Sequence, residues 1–427
     1  MTKVQKISKN ITPFAGVYFA HDEFKRSGLR ELVDDQLGVR FSTKSYSYGN
    51  LFGNIFNLFL SGGECAEDIQ RHFRPTLEQI PGNEVASADT LLRCFGELAT
   101  ENTTVVSSTG KAYQFNINEK LNDLNIKSLL LTGQLKKGNF HDFDYDNQII
   151  EHEKYDAKKT YKMNTGYFPG VASIDGKIVY IENRDGNANV KTAQSETLSR
   201  AYQLLKDNHI YINRSRMDAG SYAEDIIKTV AAYSRLFYIR ANKCESLTAE
   251  ILKITGWQNA EINFKAYQLA SIPFTNFLAE RNYRLVIMRE KTDDSCVDLF
   301  EGEKFNYRCI LTNDRTSTEK EIIEYYNQRG NSEKLFDIQN NDFGWRRLPT
   351  SNMAANTVYL IITAMLKNYY TYLLKKVSAV FTDILPTSRL KRFIFRFIAV
   401  SGRYVYQGRQ WTLQLYTQRP YDSLFNG

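Results

Sequence analysis

The chain is 427 residues long, 42% hydrophobic and 13% aromatic, a composition that suits two or three folded domains and excludes a disordered protein. Its 55 Lys and Arg against 48 Asp and Glu give a formal charge of +7, a tilt toward an anionic partner. Five scattered cysteines, Cys65, Cys94, Cys244, Cys296 and Cys309, include no CxxC pair, which speaks for a reducing compartment and against a structural zinc site.

The opening MTKVQKISKN is polar and basic with no apolar run behind it, so no secretory signal is expected. Residues 24–100 read as helical, with apolar residues at helical spacing in YGNLFGNIFNLFLSGG and CAEDIQRHF, and with Ser87 placed to cap ADTLLRCFGELA. Two short helices joined by a turn, the second offering Arg93, fit either a DNA-reading helix-turn-helix or a plain helical bundle. From about Phe140 the period becomes two. FHDFDYDNQII is followed by two apolar runs joined at Asp175-Gly176, a hairpin signal. Then TAQSETLSRAYQLLKDN (helix), IYINRSRMD (strand), SYAEDIIKTVAAYS (helix) and RLFYIRA (strand) complete the pattern of a mixed α/β sheet with helical cover. Residues from Cys244 to Asn313 are less periodic and read as an insertion with strands YRLVIMRE and YRCILTN.

A long helix is expected to start near Thr316-Ser317-Thr318-Glu319. It carries YYNQRGNSEKLFDIQNNDFGW, in which Tyr326, Arg329, Glu333 and Asn340 share one helix face. The apolar run from Met353 to Leu366 is too short to span a bilayer and reads as a buried helix, so a soluble cytoplasmic protein is expected. The remainder reads as helical and basic. Between Arg389 and Arg409 six basic residues, Arg389, Lys391 and Arg392 among them, interleave with aromatics and meet no acid, as on many nucleic-acid-binding surfaces. The expected divisions are 1–125, 126–243, 244–315 and 316–427.

Three acidic positions invite chemistry. Asp142, Asp144 and Asp146 fall on one strand face because the side-chain period is two, and their repulsion calls for solvent or a hard cation such as Mg²⁺. An EF-hand reading of the same segment, ending at Glu153, fails at Asn147, where the sharp turn needs Gly. Asp218 follows a strand and precedes Ala219-Gly220, the end of a strand where ligands collect in α/β sheets. Glu333 is the third acid.

Together with their surroundings these acids resemble the DDE transposases of the IS-four superfamily, and more narrowly the insertion-sequence-1380 group. LSGGECAEDIQRHFR, SADTLLRCF, HDFDYD, ENRDGNANV, YNQRGNSEKLFDIQNNDFGWRRLP, NMAANTVYLIITAMLKN and RLKRFIFRFIAVSGRYVY resemble that group's successive motifs in order, over nearly the whole chain. The resemblance implies an RNase H-like mixed-sheet core with a β-rich insertion and helical terminal regions, the N-terminal one binding DNA ends. It implies a catalytic set of Asp144, Asp218 and Glu333 holding two Mg²⁺ ions, with Mn²⁺ able to substitute. Tyr326 and Arg329 would orient DNA phosphates, and Trp257 in the insertion would stack on a flipped base. The implied activity is cleavage at the terminal inverted repeats of an insertion sequence and joining to target DNA. In related enzymes the cleavage intermediate is a DNA hairpin. The implied partner is double-stranded DNA bound by a homodimer, in a prokaryotic nucleoid. Two positions depart from the pattern. Related sequences usually read D-x-D-x-T, whereas Asp146 replaces the Thr here, so Asp142 and Asp146 stand as alternative first acids. A Lys usually follows the Glu by seven residues, and this chain has Asn340. An RNase H-like nuclease that cuts without joining, a DNA-binding protein with an idle site and a calcium-binding scaffold, the last resting only on the EF-hand-like segment, are the rival readings.

Overall fold

The computed structural model describes residues 2–4, 11–40, 46–242, 244–291 and 305–424; Cys296 lies outside them. The central strands are β1 (Phe140–Asn147), β2 (Gly170–Ile174), β3 (Lys177–Arg184), β4 (Tyr211–Met217) and β5 (Ser234–Ala241). β1 pairs antiparallel with β2, and β2 with β3, while β4 lies parallel to β1 and β5 parallel to β4. The spatial order β3-β2-β1-β4-β5 is that of an RNase H-like core. Asp175 (φ 49°) and Gly176 (φ 72°) make the tight β2–β3 turn, whose left-handed backbone matches the strand twist. Parallel pairing requires crossovers, and helices Gln194–Asp207 and Glu224–Tyr233 supply them. They bury one sheet face, where Phe143, Tyr145, Ile212 and Phe237 join Tyr202 and Val230 in a common core.

The sheet continues past both edges to eleven strands. A hairpin, Asn102–Val106 with Ala112–Ile117, adds beyond β3; beyond β5 come Phe305–Thr312, Arg284–Lys291, Lys265–Pro273 and Gln258–Ile262. The stretch expected to be an insertion thus extends the core sheet by hydrogen bonds.

A second layer is built on the long helix Met353–Val380, most of which is buried. Helices Val17–Arg26, Leu29–Leu37, Tyr48–Leu60 and Ala88–Glu97 share its core. Tyr369 meets both Phe24 and Phe56 edge-on, each at 5.4 Å. Ser87 caps the last of these helices by accepting from the Thr90 amide at 3.3 Å. On its inner side the long helix meets helix Glu119–Leu131 and β3 through buried asparagines. The Asn122 amide donates to the Ile181 carbonyl at 2.9 Å and its oxygen accepts from the Ile181 N–H at 2.9 Å. Asn125 and Asn368 both donate to the Ile178 carbonyl at 2.8 Å, and the Asn368 oxygen accepts from the Ile178 N–H at 3.2 Å. Side-chain amides therefore do for this stretch of β3 what a neighbouring strand would do.

The C-terminal segment departs from expectation. Helical turns run from Leu390 to Ile398, and then Gly402–Gln407 and Gln410–Leu415 pair as an antiparallel hairpin. Gly408 (φ 60°) and Arg409 (φ 64°) both take the left-handed backbone of a two-residue turn, and the flanking residues alternate with a period of two, a signal that the basic charges obscure. No helix among the described residues is long and apolar enough to cross a membrane.

Trp345 is fully buried and donates from Nε1 to Thr363 Oγ1 at 3.0 Å, tying the chain after helix Asn331–Asp342 to the long helix. Trp345→Ala is expected to cost about 3–5 kcal/mol in denaturant unfolding. Trp345→Phe, which keeps a ring, should cost markedly less.

Candidate active site

The site begins with a charge ladder across β1 and β4. Their parallel register sets Asp142 beside Arg214 and Asp144 beside Arg216. Arg214 grips Asp142 with Nη2 at 2.5 Å and Nε at 3.0 Å. Arg216 holds Asp144 through Nε at 2.7 Å and Nη2 at 2.8 Å, the parallel two-bond geometry that guanidinium and carboxylate share. One step further, past Tyr145 beside Met217, where β4 ends, the chain continues with Asp218 and not with a third arginine. Asp146 therefore has a carboxylate, Asp218, across from it.

Three carboxylates bear on this open rung. Burial, with the nearby charges of Asp218 and Glu333, pushes the Asp146 carboxyl up to about 6, against the opposing pull of Arg329. Asp218 caps its own turn by accepting from the Gly220 N–H at 3.0 Å. Asp146 and Asp218 line a cavity of about 720 Å³ in which Asn147 and Gln148 also take part. Asn147 Oδ1 and Gln148 Oε1 are buried with no hydrogen-bond partner among the described residues, oxygens available to a polar ligand. Asp144, expected as the first acid, is instead buried and paired with Arg216; burial raises its pKa in spite of that pairing.

The segment carrying Glu333 is not one continuous helix. Helix Glu319–Asn327 starts at a capping box, with Thr318 accepting from the Glu321 N–H and the Glu321 carboxylate accepting from the Thr318 N–H at 2.8 Å. It tightens into a 3-10 turn, Gln328–Gly330, before helix Asn331–Asp342. A 3-10 turn advances about 120° per residue against about 100° in an α-helix, so this three-residue turn offsets the second helix by about 60° from the first. The Tyr325 ring lies under both ladder arginines, 3.9 Å from the Arg214 guanidinium and 4.6 Å from that of Arg216, and its carbonyl accepts from Arg216 Nη1 at 2.9 Å. Tyr326, kept protonated by burial with its pKa near 12, donates to the Met217 carbonyl at 3.1 Å, immediately before Asp218. Arg329 Nη2 lies 2.7 Å from Asp146 Oδ2, and its Nε is buried with no partner among the described residues. Glu333 is exposed.

Other expected site residues lie apart from this rung. Asn340 lines a separate cavity of about 580 Å³ together with Arg346, Arg347 and Lys391 and with the acids Glu64 and Asp342, Arg347 being paired with Glu64. Arg389 is held by Asp342 at 2.7 Å and Asp337 at 2.5 Å and ties the C-terminal segment to the Glu333 helix. Arg392 and Arg93 are exposed. Trp257 donates to the Ile254 carbonyl at 3.0 Å, and the Arg289 guanidinium covers its ring at 3.9 Å. Arg214, Arg216 and Tyr325 escape the sequence reading, although Arg-x-Arg-x-Asp in NRSRMD mirrors Asp-x-Asp-x-Asp in HDFDYD.

Among the described residues no three His, Cys, Asp or Glu side chains stand gathered as a metal-holding set. The donor chemistry nonetheless suits a hard divalent cation: Asp146, Asp218 and Glu333 are carboxylates, and the charge they lack is supplied at Asp146 by a single guanidinium.

Residues 21–427 match the family described as Transposase DDE domain group 1. A solved piggyBac transposase synaptic complex with hairpin DNA is similar at 12% identity and a TM-score of 0.45, over 90% of this chain and 78% of that one. No curated protein matches the sequence.

The raised Asp146 pKa has a thermodynamic consequence. A carboxyl whose folded pKa of about 6 exceeds its ordinary 3.8 binds its proton more tightly in the folded chain. Its stabilising effect is full below pH 3.8 and is lost as pH rises through about 6. In metal-free buffer, denaturant unfolding followed between those pH values should show this loss, and Asp146→Asn should flatten it.

Proposed function

The chain belongs to the family described as Transposase DDE domain group 1, and from that premise we propose that it is an active transposase of the insertion-sequence-1380 type. It cleaves double-stranded DNA at the terminal inverted repeats of its element and joins the ends to target DNA, acting as a homodimer on paired ends. The observation that carries this reading is the open rung of the charge ladder, where Asp146 meets Asp218 with Glu333 bearing on it. Asp146 thus takes the role first expected of Asp144, and Asp142 and Asp144 serve to hold the sheet and helix in place.

Asp146, Asp218 and Glu333 would hold the divalent metal, Mg²⁺ with Mn²⁺ as substitute. Such ions, when bound, activate the attacking oxygen and offset charge on the leaving one. The protein's own part is positional. Tyr326 fixes the backbone that leads into Asp218. Arg329, paired with Asp146, is the cation placed to reach a phosphate oxygen of bound DNA. Arg346 and Lys391 beside Asn340 give DNA the positive charge that its neutral amide does not, and the N-terminal helices with Arg93 contribute to end binding.

The test is cleavage of the DNA that flanks the gene, with Mg²⁺ and a target plasmid. Asp146→Asn should lower cleavage by about 10³-fold while the chain stays folded, read by circular dichroism. Asp144→Asn should instead destabilise the fold, about 3–5 kcal/mol being typical for breaking a buried pair. Full cleavage by Asp146→Asn would remove the assignment. Arg329→Ala should lose cleavage yet bind Mn²⁺ at least as tightly as the parent, read by calorimetry. Cleavage without joining would favour a simple nuclease.

A further inference from the structure

Between β1 and β2 the chain forms a small three-stranded sheet, Ile150–Glu151, Lys158–Lys159 and Thr165–Tyr167, with Thr165–Tyr167 in the middle. Its base is anchored. The Tyr155 N–H donates to the Ser351 carbonyl at 3.1 Å, Asp156 accepts from the Met353 N–H at 2.7 Å, and Tyr167 donates to Asp156. Its inner edge rests on the backbone of Gly186 in ENRDGNANV: a Cβ there would come 2.3 Å from the Gly166 oxygen and 2.7 Å from the Lys158 oxygen.

The tip is ordered but open. Thr160 is buried and organises the turn, its N–H donating to the Asn164 carbonyl at 2.7 Å and its carbonyl accepting from the Met163 N–H at 3.0 Å. Around it Tyr161 is 72% exposed and Met163 74% exposed, and Lys158, Lys159 and Lys162 are all exposed. Tyr161 meets Phe168 in a T-shaped contact at 6.1 Å, so one residue braces the ring while most of it stays exposed. Tyr161 and Lys162 line the same cavity of about 720 Å³ as Asp146 and Asp218. That volume falls within the range of small-ligand pockets, about 300–1,000 Å³, room enough for a nucleotide. Exposed aromatic rings among lysines are the physical form of a single-strand stacking platform. Trp257, by contrast, has a ring face covered by Arg289.

We infer that this hairpin is the site where one unpaired nucleobase beside the scissile phosphate is held, stacked on Tyr161 and with Lys158, Lys159 and Lys162 along the strand. The inference rests on the transposase reading and adds to it a base-binding subsite on the core, outside the region after β5.

The probe is a DNA hairpin with 2-aminopurine in its unpaired loop and fluorescein at its end, mixed with the full chain in Ca²⁺ to hold back cleavage. Anisotropy reports binding and 2-aminopurine quenching reports stacking. The parent should bind and quench. Tyr161→Ala should lose the quench and bind about 5- to 150-fold more weakly, Tyr161→Phe should retain both, and Tyr155→Ala, an exposed tyrosine outside the cavity, should behave as the parent. Quenching that survives Tyr161→Ala, or binding by the parent with no quench, overturns the subsite while leaving the transposase reading standing. A parent that neither binds nor cleaves DNA overturns the transposase reading, and the subsite with it.

Discussion

The in-register meeting of two alternating charge patterns is the constraint on which the site depends. A strand that reads Asp-x-Asp-x-Asp gathers three negative charges on one face, and a sheet cannot bury them unopposed. Its parallel neighbour answers with Arg-x-Arg-x-Asp. Two rungs are neutral and bidentate, and the third is left as a pair of carboxylates. The same register that satisfies the first two rungs creates the deficit of positive charge at the third. A slip of one residue would turn every one of these side chains to the opposite face.

The two closed rungs also serve as a docking surface. The Tyr325 ring lies against both guanidinium groups, and delocalised, weakly hydrated Arg suits that stacking better than Lys. Once Tyr325 is seated, Tyr326 reaches the strand end and Arg329 reaches Asp146. The helix that precedes Glu333 is thereby fixed against the strand ends that carry Asp146 and Asp218 by two salt bridges and one ring.

Much of this was legible in the residues. The strand and helix order from Phe140 to Ala241 follows from clear periods, and Asp175-Gly176 marks its turn. Asp218 is noticeable because it sits where a strand ends, and Glu333 because it shares a helical stripe with Tyr326 and Arg329. What could not be read is long-range. Choosing among Asp142, Asp144 and Asp146 requires the register with β4, which no local pattern encodes. The phase break at Gln328–Gly330 is hidden because a 3-10 turn needs no special residue. Trp257 looks available until Arg289, on a neighbouring strand, is seen to cover it. The terminal hairpin was masked by its charge, which drew attention from its alternation.

The asparagines that line β3 bear on how the chain comes to fold. Asn122 and Asn125 follow closely on the N-terminal helices, but Asn368 arrives on the long helix, late in the sequence. As the chain leaves the ribosome, the backbone of β3 near Ile178 lacks part of its hydrogen-bonding complement until that helix is made. An unfinished sheet edge invites pairing with other chains. A nascent chain therefore completes the hydrogen bonding of β3 only after Asp146, Asp218 and Glu333 have all been synthesised, so that the stretch of translation which adds the long helix also protects the open part of that strand.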